Sequence, residues 1–244
     1  MAVEQRALRL WERSAPAWIA RIKRGEITRE YLLDGPMLAL AGTVDGQQVL
    51  DVGCGEGRFC RLLGERGART TGLDPTPGLL AEARRRHTAG SYVQGWAESL
   101  PFANASFHLV VSYLSLLDIA GFRPAIAEMA RVLRTGGQLL IANMNSFATT
   151  REPAWHTDWL GRKLHVAVDN YFQERAQHLE WDGLSIINWH RPFEAYLGAL
   201  LAAGLRLDAF VEPRPTRGGE HRESLDNAHR VPLFHVMRWV KADA

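Results

Sequence analysis

VLDVGCGEGR, residues 49–58, is the stretch that decides the fold of this chain. Apolar residues surround Asp51, three glycines follow at alternate positions (Gly53, Gly55 and Gly57), and RFCRLL then has the spacing of a helix. Glycine is required where the backbone takes a positive φ or where a ligand presses against it. The first N–H groups of a helix lack partners and therefore favour an electron-rich ligand. The stretch predicts a strand, a tight turn and a helix around a ligand.

The position of the acid separates this loop from a dinucleotide-binding loop. The pattern G-x-G-x-x-G would need its third glycine at position 58, where the chain has Arg58. Asp51 stands just before the loop, and a carboxylate there would repel a pyrophosphate. A ligand with an ammonium group fits better, because Asp51 can hold it directly or through water. S-adenosylmethionine is such a ligand: it has a cationic methionine end, no phosphate, and a ribose with two hydroxyls.

Four further motifs follow the glycine loop in order. A predicted strand at 68–73 ends in Asp74, and YVQGWAESLPF occupies 92–102. FHLVVS at 107–112 has the composition of a buried strand, and ARVLRTGG at 130–137 that of a helix end and turn. As a set in register, these segments resemble the motifs of the class I S-adenosylmethionine-dependent methyltransferases over about residues 45 to 145. HRPFEAYLGALLAAGLRLDAFVEPRP at 190–215 is similar to the end of small-molecule members related to the ubiquinone C-methylase group.

The resemblance implies S-adenosylmethionine as cofactor and S-adenosylhomocysteine as product. It implies that Asp74 accepts hydrogen bonds from both ribose hydroxyls and that the N–H of Ala97 serves an adenine ring nitrogen. Trp96 departs from the family, which often has an aspartate there; it either stacks on adenine or fills an apolar slot, and Glu98 or a backbone carbonyl takes the adenine amino group. The predicted cofactor-binding residues are Asp51, Gly53, Gly55, Gly57, Asp74, Pro75, Trp96, Ala97, Glu98, Ser112 and Tyr31.

Alternating strands and helices predict an α/β fold with a doubly wound parallel sheet. The resemblance implies a seven-stranded Rossmann-like sheet whose last strand, at 231–240, is antiparallel. We expect one domain over residues 1–244, with a helical N-terminal lid at 1–43 broken by a turn at Asp34-Gly35-Pro36. The alternative for that segment is an amphipathic helix packed on the sheet edge. Candidates for the inner face of the lid are Trp11, Trp18, Arg21 and Tyr31.

Residues 146–192 differ in composition from the rest of the chain and are expected to form an acceptor-side cap. Four of the eight tryptophans fall here: Trp155, Trp159, Trp181 and Trp189. Such a cluster suits a planar aromatic or heteroaromatic substrate held by stacking. An antiparallel cap with its own small core explains the same residues equally well, because buried aromatics usually serve packing.

Methyl transfer is an in-line displacement, so the protein must align a nucleophile and, where needed, remove its proton. Asp118 and His190 are the candidate bases, and Tyr113 is a candidate orienting residue. A lone acid or histidine at a helix start is more often a cap or a structural hydrogen-bonding group. If the acceptor is an acidic phenol or ring N–H, positioning alone suffices.

A net charge of +2 indicates neither nucleic acid nor membrane as partner. Cys54 and Cys60 suit free thiols, no spacing predicts a metal site, and no apolar run has the length of a membrane span. We therefore expect a cytoplasmic monomer or homodimer that methylates an oxygen or nitrogen of a small, planar aromatic metabolite. The alternatives are C-methylation of a quinone or lipid-like ring, and a sensor that binds the cofactor without turnover.

Overall fold

A computed structural model describes residues 2–150, 155–216 and 223–242, and it contains one seven-stranded sheet flanked by helices. The strands are β1 (Gln48–Val52), β2 (Arg69–Asp74), β3 (Ser91–Gln94), β4 (Phe107–Tyr113), β5 (Leu133–Met144), β6 (Trp155–Thr157), β7 (Lys163–Val166), β8 (Arg175–Trp181), β9 (Leu184–His190), β10 (Leu205–Val211) and β11 (Phe234–Lys241). The helices are α1 (Ala2–Arg24), α2 (Asp34–Ala41), α3 (Arg58–Gly64), α4 (Pro77–Arg86), α5 (Phe122–Val132) and α6 (Phe193–Ala202). A π-helical turn spans Arg29–Leu33, and 3-10 turns span Ser146–Thr149 and Glu223–His229.

The order of strands in the sheet is β10-β11-β5-β4-β1-β2-β3. Strands β1 to β5 run parallel to one another, whereas β11 is antiparallel to both β5 and β10. The predicted doubly wound, Rossmann-like sheet with an antiparallel last strand is confirmed. Because the chain continues to β2 on one side of β1 and places β4 on the other, the carboxyl ends of β1 and β4 flank a crevice of the kind that binds ligands.

Both faces of the sheet are buried. Successive residues of the central strands point alternately into the two hydrophobic cores, one on each face. Leu50 and Val52 of β1 join the cluster beneath α5 and α6, while Val49 joins the one beneath α2 and α3. In β4, Val110 lies on the first side and Val111 on the second. Burial on both faces explains why these strands read as continuous apolar runs.

The N-terminal segment is helical, as predicted, but its internal turn is not. Asp34 begins α2, and Pro36 lies in its first turn, where a missing N–H costs no intrahelical hydrogen bond. The prediction of a turn at 34–36 is therefore wrong. Helix α1 packs on α4 and β9, and the Ser14 hydroxyl donates to the Ser185 carbonyl (3.0 Å) while accepting from its N–H (2.9 Å).

The chain between β5 and α6 forms two antiparallel hairpins, β6–β7 and β8–β9. The final strand, β11, starts at Phe234 rather than at the predicted residue 231. The chain between β10 and β11 contains the 3-10 turn Glu223–His229, and residues 217–222 lie outside the described residues. The β8–β9 hairpin meets α1 through β9, so that these two segments face each other above the carboxyl ends of the sheet strands.

Candidate functional site

A cavity of about 500 Å³ opens at the carboxyl ends of β1, β2 and β4, within the roughly 300 to 1,000 Å³ typical of small-molecule sites. Helix α1 covers one side, and the β8–β9 hairpin covers another. Its surface is mostly apolar and carries a few acidic groups. The acidic residues that line it are Glu4, Asp51, Glu56, Asp74, Glu98 and Asp118.

Asp51 lies in β1 and lines this cavity, and one of its two carboxylate oxygens is unpaired. Its Oδ2 accepts a hydrogen bond from the Cys60 thiol (3.6 Å), while Oδ1 is buried without a hydrogen-bond partner among the described residues. Burial raises the pKa of Asp51 to about 7, although the Cys60 thiol and the Arg29 guanidinium act to lower it. A buried acceptor of this kind is completed by a cationic donor, and an ammonium group meets that requirement.

The glycine turn after β1 has the positive φ angles for which glycine is required. Gly53, Gly55 and Gly57 have φ values of 75°, 55° and 75°. Gly53 and Gly55 line the cavity, and a Cβ on Gly53 would collide with the Ser115 side chain. Gly57 does not line it; a Cβ there would overlap the Tyr92 ring. This glycine makes room for packing behind the loop, and its contact with the cofactor stays a prediction.

Asp74 ends β2 and fixes the geometry of the turn opposite. Its Oδ2 accepts from the Gly55 N–H (2.9 Å), and its Oδ1 accepts from the Thr76 N–H (2.8 Å). Burial raises the pKa of Asp74, and these two N–H groups act in the opposite direction. Each carboxylate oxygen keeps a lone pair, and both Asp74 and Pro75 line the cavity. This acceptor pair fits two neighbouring hydroxyls, such as those of a ribose.

Trp96, Ala97 and Glu98 line the cavity beside Asp74, as the sequence predicts for the adenine side. The Trp96 side chain is 42% exposed, so that it stands at the mouth rather than in a core slot. Glu98 accepts from the Gly121 N–H (3.1 Å), and burial raises the pKa of Glu98.

The end of β4 supplies Ser115 rather than Ser112 to the cavity. Ser112 is fully buried and its hydroxyl bonds the Ser115 hydroxyl (2.7 Å), which donates to the Val52 carbonyl (2.6 Å). The cofactor-contact prediction for Ser112 is therefore wrong, because its hydroxyl holds Ser115. The Tyr113 ring lines the cavity, but its hydroxyl donates to Asp34 (2.9 Å) and is not available to orient an acceptor.

Of the two predicted bases, only Asp118 lines the cavity. Asp118 lines the cavity and accepts a hydrogen bond from the Asn188 amide; burial raises the pKa of Asp118 well above its usual range. His190 is fully buried and does not line the cavity. Its Nδ1 bonds the Thr149 hydroxyl (2.7 Å) and its Nε2 bonds the Tyr171 carbonyl (2.8 Å). With both ring nitrogens engaged, the prediction of His190 as a base is wrong.

Two of the candidates for the inner face of the N-terminal segment lie at the cavity. Trp11 and Trp18 line the cavity and meet edge to face, with ring centroids 5.9 Å apart. Arg21 instead pairs with Glu26 (3.1 Å) and Asp182 (2.7 Å) outside it.

Tyr31 does not reach the cavity. It packs against the core between α2, α3 and the sheet, and its carbonyl accepts from the Thr216 N–H (2.8 Å). Its predicted contact with the cofactor is therefore wrong. The cavity has two arginines that sequence reasoning missed, Arg29 and Arg58.

Half of the tryptophans of the 146–192 segment face the cavity. Trp181 and Trp189 line it, from β8 and β9. Trp155 stacks beneath the Arg230 guanidinium (4.8 Å to the ring centroid), and Trp159 is 89% exposed at the tip of the β6–β7 hairpin. Trp181 and Trp189 therefore remain the candidates for stacking on a substrate, whereas Trp159 is too exposed to belong to a core.

Within residues 2–150, 155–216 and 223–242, no group of three or more histidine, cysteine, aspartate or glutamate side chains is placed to hold a metal ion. Among the helices of the described chain, none combines the length and apolar character that crossing a membrane requires.

Comparison with known proteins agrees with this geometry. Residues 50–141 match the family model of a methyltransferase domain. The chain is 36% identical over 149 residues to a malonyl-(acyl-carrier protein) O-methyltransferase of Pectobacterium atrosepticum, covering 59% of each protein. It is 33% identical over 123 residues to a demethylmenaquinone methyltransferase of Renibacterium salmoninarum, covering 50% of this chain and 52% of that one. The chain thus spans about half the length of the curated relatives it matches.

A solved structure extends the similarity to nearly the whole chain. The S-adenosylmethionine-dependent methyltransferase from Mesorhizobium loti superimposes with a TM-score of 0.77 at 25% identity, covering 89% of this chain and 99% of that one. The matched domain and the sheet order together identify residues 50–141 as a methyltransferase domain with the fold of the S-adenosylmethionine-dependent methyltransferases.

Proposed function

We propose that this protein transfers a methyl group from S-adenosylmethionine to an oxygen or nitrogen of a small molecule with an aromatic or apolar body. The observation that carries this proposal is the continuity of the cavity. It runs from Asp51 and Asp74, which suit the cofactor, to Asp118 and Trp189 on the side beyond the end of β4. A nucleophile bound there would lie next to the cofactor without crossing solvent.

The protein's own part in this reaction is to bind the cofactor and the acceptor, to align their reacting atoms and to exclude water from them. The cofactor, when bound, supplies a methyl carbon already activated by its sulfonium. Asp51 would hold the ammonium and Asp74 the ribose, which together fix the direction of the reactive end. Helix α1 and the β8–β9 hairpin cover the cavity, so they would keep water from the reacting atoms. We infer on the same grounds that 1–43 acts as a lid and 146–192 as an acceptor cap within one domain over 1–244.

The lining of the acceptor side supports a planar, largely apolar substrate. Its side chains come from the ends of β4 and β5, from the β8–β9 hairpin and from β11: Leu117, Met144, Trp181, Ile186, Trp189 and Phe234. Two of these are tryptophans, which hold planar rings well because each offers a large apolar face. An aromatic ring with a hydroxyl, ring nitrogen or carboxyl group matches this surface.

Asp118 is the residue placed to accept a proton from such a substrate. Burial favours its neutral form, while the nearby Arg29 and Arg191 guanidiniums and the Asn188 amide favour the ionised one. Only the ionised carboxylate can act as a base, so we expect a rate that rises with pH as Asp118 ionises. An acceptor that is already an anion would need no base.

C-methylation of a quinone-like ring is the second candidate. The apolar character of the acceptor side favours it, and one relative is a demethylmenaquinone methyltransferase. The two reactions leave different products: a methyl group on oxygen or nitrogen removes an exchangeable proton, whereas one on carbon does not.

The test is turnover with a panel of phenols, carboxylic acids, aromatic amines, heterocycles and quinols. We expect S-adenosylhomocysteine and a product heavier by one methyl group to form together, and both to form more slowly with Asp74→Ala at low cofactor concentration. Cofactor binding without product across the whole panel would contradict the proposal and favour a sensor. Carbon methylation would favour the second candidate.

A further inference from the structure

Asp118, on the acceptor side of the cavity, keeps one carboxylate oxygen for a ligand. Its Oδ1 accepts a hydrogen bond from the Asn188 amide. In the ranges that the structure describes, no group donates to its Oδ2, and this oxygen is not among the atoms that the fold closes off. Asp118 is partly exposed and lines the cavity, so a donor on a bound ligand can reach Oδ2. A carboxylate held in a cavity is stabilised most by a positively charged donor.

No side-chain cation of the described chain forms an ion pair with Asp118. Of the two arginines that line the cavity, Arg58 pairs with Asp34 through both terminal nitrogens (2.8 and 2.5 Å). Arg29 stacks on the Trp18 ring, 5.0 Å from its centroid, and acts on Asp118 through its charge without a hydrogen bond. Among the cavity-lining residues that the structure describes, none is a lysine or a histidine. The positive partner of Asp118 is therefore left for the ligand to supply.

The charges around the cavity disfavour a methyl acceptor that is itself an anion. Three further acids that line it, Asp51, Asp74 and Glu98, also lack an ion pair among the described residues. A phenolate or a carboxylate beside Asp118 would bring two negative charges together, whereas an ammonium ion would be attracted. Trp181, which lines the acceptor side, adds to this preference because the face of an indole ring attracts cations.

We propose that the methyl acceptor is an amine with an aromatic or apolar body, which enters the cavity as an ammonium ion and donates to Asp118 Oδ2. The inference rests on the proposed function and narrows its acceptor, an oxygen or a nitrogen, to one chemical class. Leu179 and Ile186, paired across the β8–β9 hairpin, line the same cavity, and the body of the amine packs against them. Asn188, from the same hairpin, holds the carboxylate that selects the charge.

Methyl transfer to an ammonium ion needs a proton acceptor, and Asp118 is that group. The protonated nitrogen has no lone pair, so an N–H bond must break before the nitrogen can bond to the methyl carbon. The proton passes to the Asp118 carboxylate, and the neutral amine then forms the N–C bond while the S–C bond of the cofactor breaks. The products are a methylated ammonium ion, S-adenosylhomocysteine and one proton, which Asp118 releases to solvent. Burial raises the pKa of Asp118 well above its usual range, which brings it closer to that of the amine and eases the transfer.

The experiment uses benzylamine, phenethylamine and tryptamine, each with the alcohol and the carboxylate in which a hydroxyl or a carboxylate group replaces the amino group. Calorimetry measures their binding to protein saturated with S-adenosylhomocysteine at about pH 8, where the amines remain charged. We expect the amines to bind at least about tenfold more tightly than the matched alcohols, and the carboxylates to bind most weakly.

Asp118→Asn removes the charge and keeps the shape, and Asp169→Asn removes the same charge from an exposed position outside the cavity. We expect Asp118→Asn to bind the amines no more tightly than the alcohols, with the affinity for S-adenosylhomocysteine unchanged. Asp169→Asn should keep the wild-type preference. The comparison of amines with alcohols in the wild type decides the question even if Asp118→Asn does not fold.

Three results would overturn the assignment: equal or tighter binding of the alcohols or carboxylates by the wild type, no binding of any of the three amines, or a preference for amines that persists in Asp118→Asn. Failure of the wild type to bind S-adenosylhomocysteine would instead reject the proposed function, so the two failures are distinguishable.

Discussion

The buried carboxylate of Asp51 should make the affinity for S-adenosylhomocysteine depend on pH near neutrality. Its pKa is raised from 3.8 to about 7, chiefly by burial. Only the ionised form attracts the ligand's ammonium, so affinity should rise as the pH increases through this value. The groups around Asp51 are the Cys60 thiol, the Arg29 guanidinium and the Asp74 carboxylate.

The size of the effect follows from the ionised fraction. With a pKa of about 7, Asp51 is about one-tenth ionised at pH 6.0 and about three-quarters ionised at pH 7.5. Affinity should therefore increase about eightfold, or about 1.2 kcal/mol. The linked effect on the ligand-free fold has the opposite direction. Because the pKa of Asp51 is raised in the folded state, the contribution of this group to folding stability is greatest below pH 3.8. That contribution is lost as the pH rises through about 7, by roughly 4 kcal/mol.

Isothermal titration calorimetry at both pH values measures the change directly. Asp51→Asn should bind more weakly and show little pH dependence. In the wild type, 5′-methylthioadenosine, which lacks the ammonium, should also bind almost independently of pH. A flat wild-type affinity for S-adenosylhomocysteine would refute the reasoning, and an eightfold change that persists in Asp51→Asn would assign the titration to another group, such as Asp74.

Four further changes test the remaining assignments. Asp74→Ala should weaken S-adenosylhomocysteine binding by about 1–3 kcal/mol in calorimetry, because it strands two ribose hydroxyls and two backbone N–H groups. Gly53→Ala should lower the free energy of unfolding by about 1–3 kcal/mol in denaturant titrations, since the positive φ and the Ser115 side chain both oppose a Cβ. His190→Ala should lower the same quantity by about 1–3 kcal/mol and leave cofactor affinity unchanged, which a catalytic or binding role would not predict. Asp118→Asn should lower the turnover rate by about 100-fold and remove its rise with pH, if the acceptor must lose a proton.

The cofactor half of the site was predictable because its determinants are local in sequence. Asp51 and the glycines form one continuous stretch, and glycine permits the positive φ that Gly53 and Gly55 adopt. Asp74 ends the next strand, and parallel strands bring their carboxyl ends to the same edge. Likewise, Thr76-Pro77 marks the start of α4 at the residue where the helix begins.

The wrong assignments depended on contacts between distant segments. Nothing near His190 in the sequence indicates that Thr149 and the Tyr171 carbonyl occupy both of its ring nitrogens. In the same way, the Tyr113 hydroxyl is used by Asp34, a residue from the N-terminal segment. A side chain's chemistry predicts what it can do, but its free donors and acceptors depend on the folded neighbourhood.

The N-terminal segment shows a different limit. Gly25 follows α1 with a φ of 95°, and a π-helical turn starts at Arg29. Both features reset the angular position of the side chains that follow them, so the helical periodicity of α1 does not extend to residues 29–33. Arg29 therefore lines the cavity, whereas Tyr31 does not.

The most direct test of the central claim is a crystal structure of the protein with S-adenosylhomocysteine. The account predicts difference density across the ends of β1 and β2, with the ammonium within hydrogen-bond distance of Asp51, the ribose hydroxyls on Asp74 and the adenine beside Ala97. Density elsewhere, or a nucleoside lying in the reverse direction along this cavity, would contradict it.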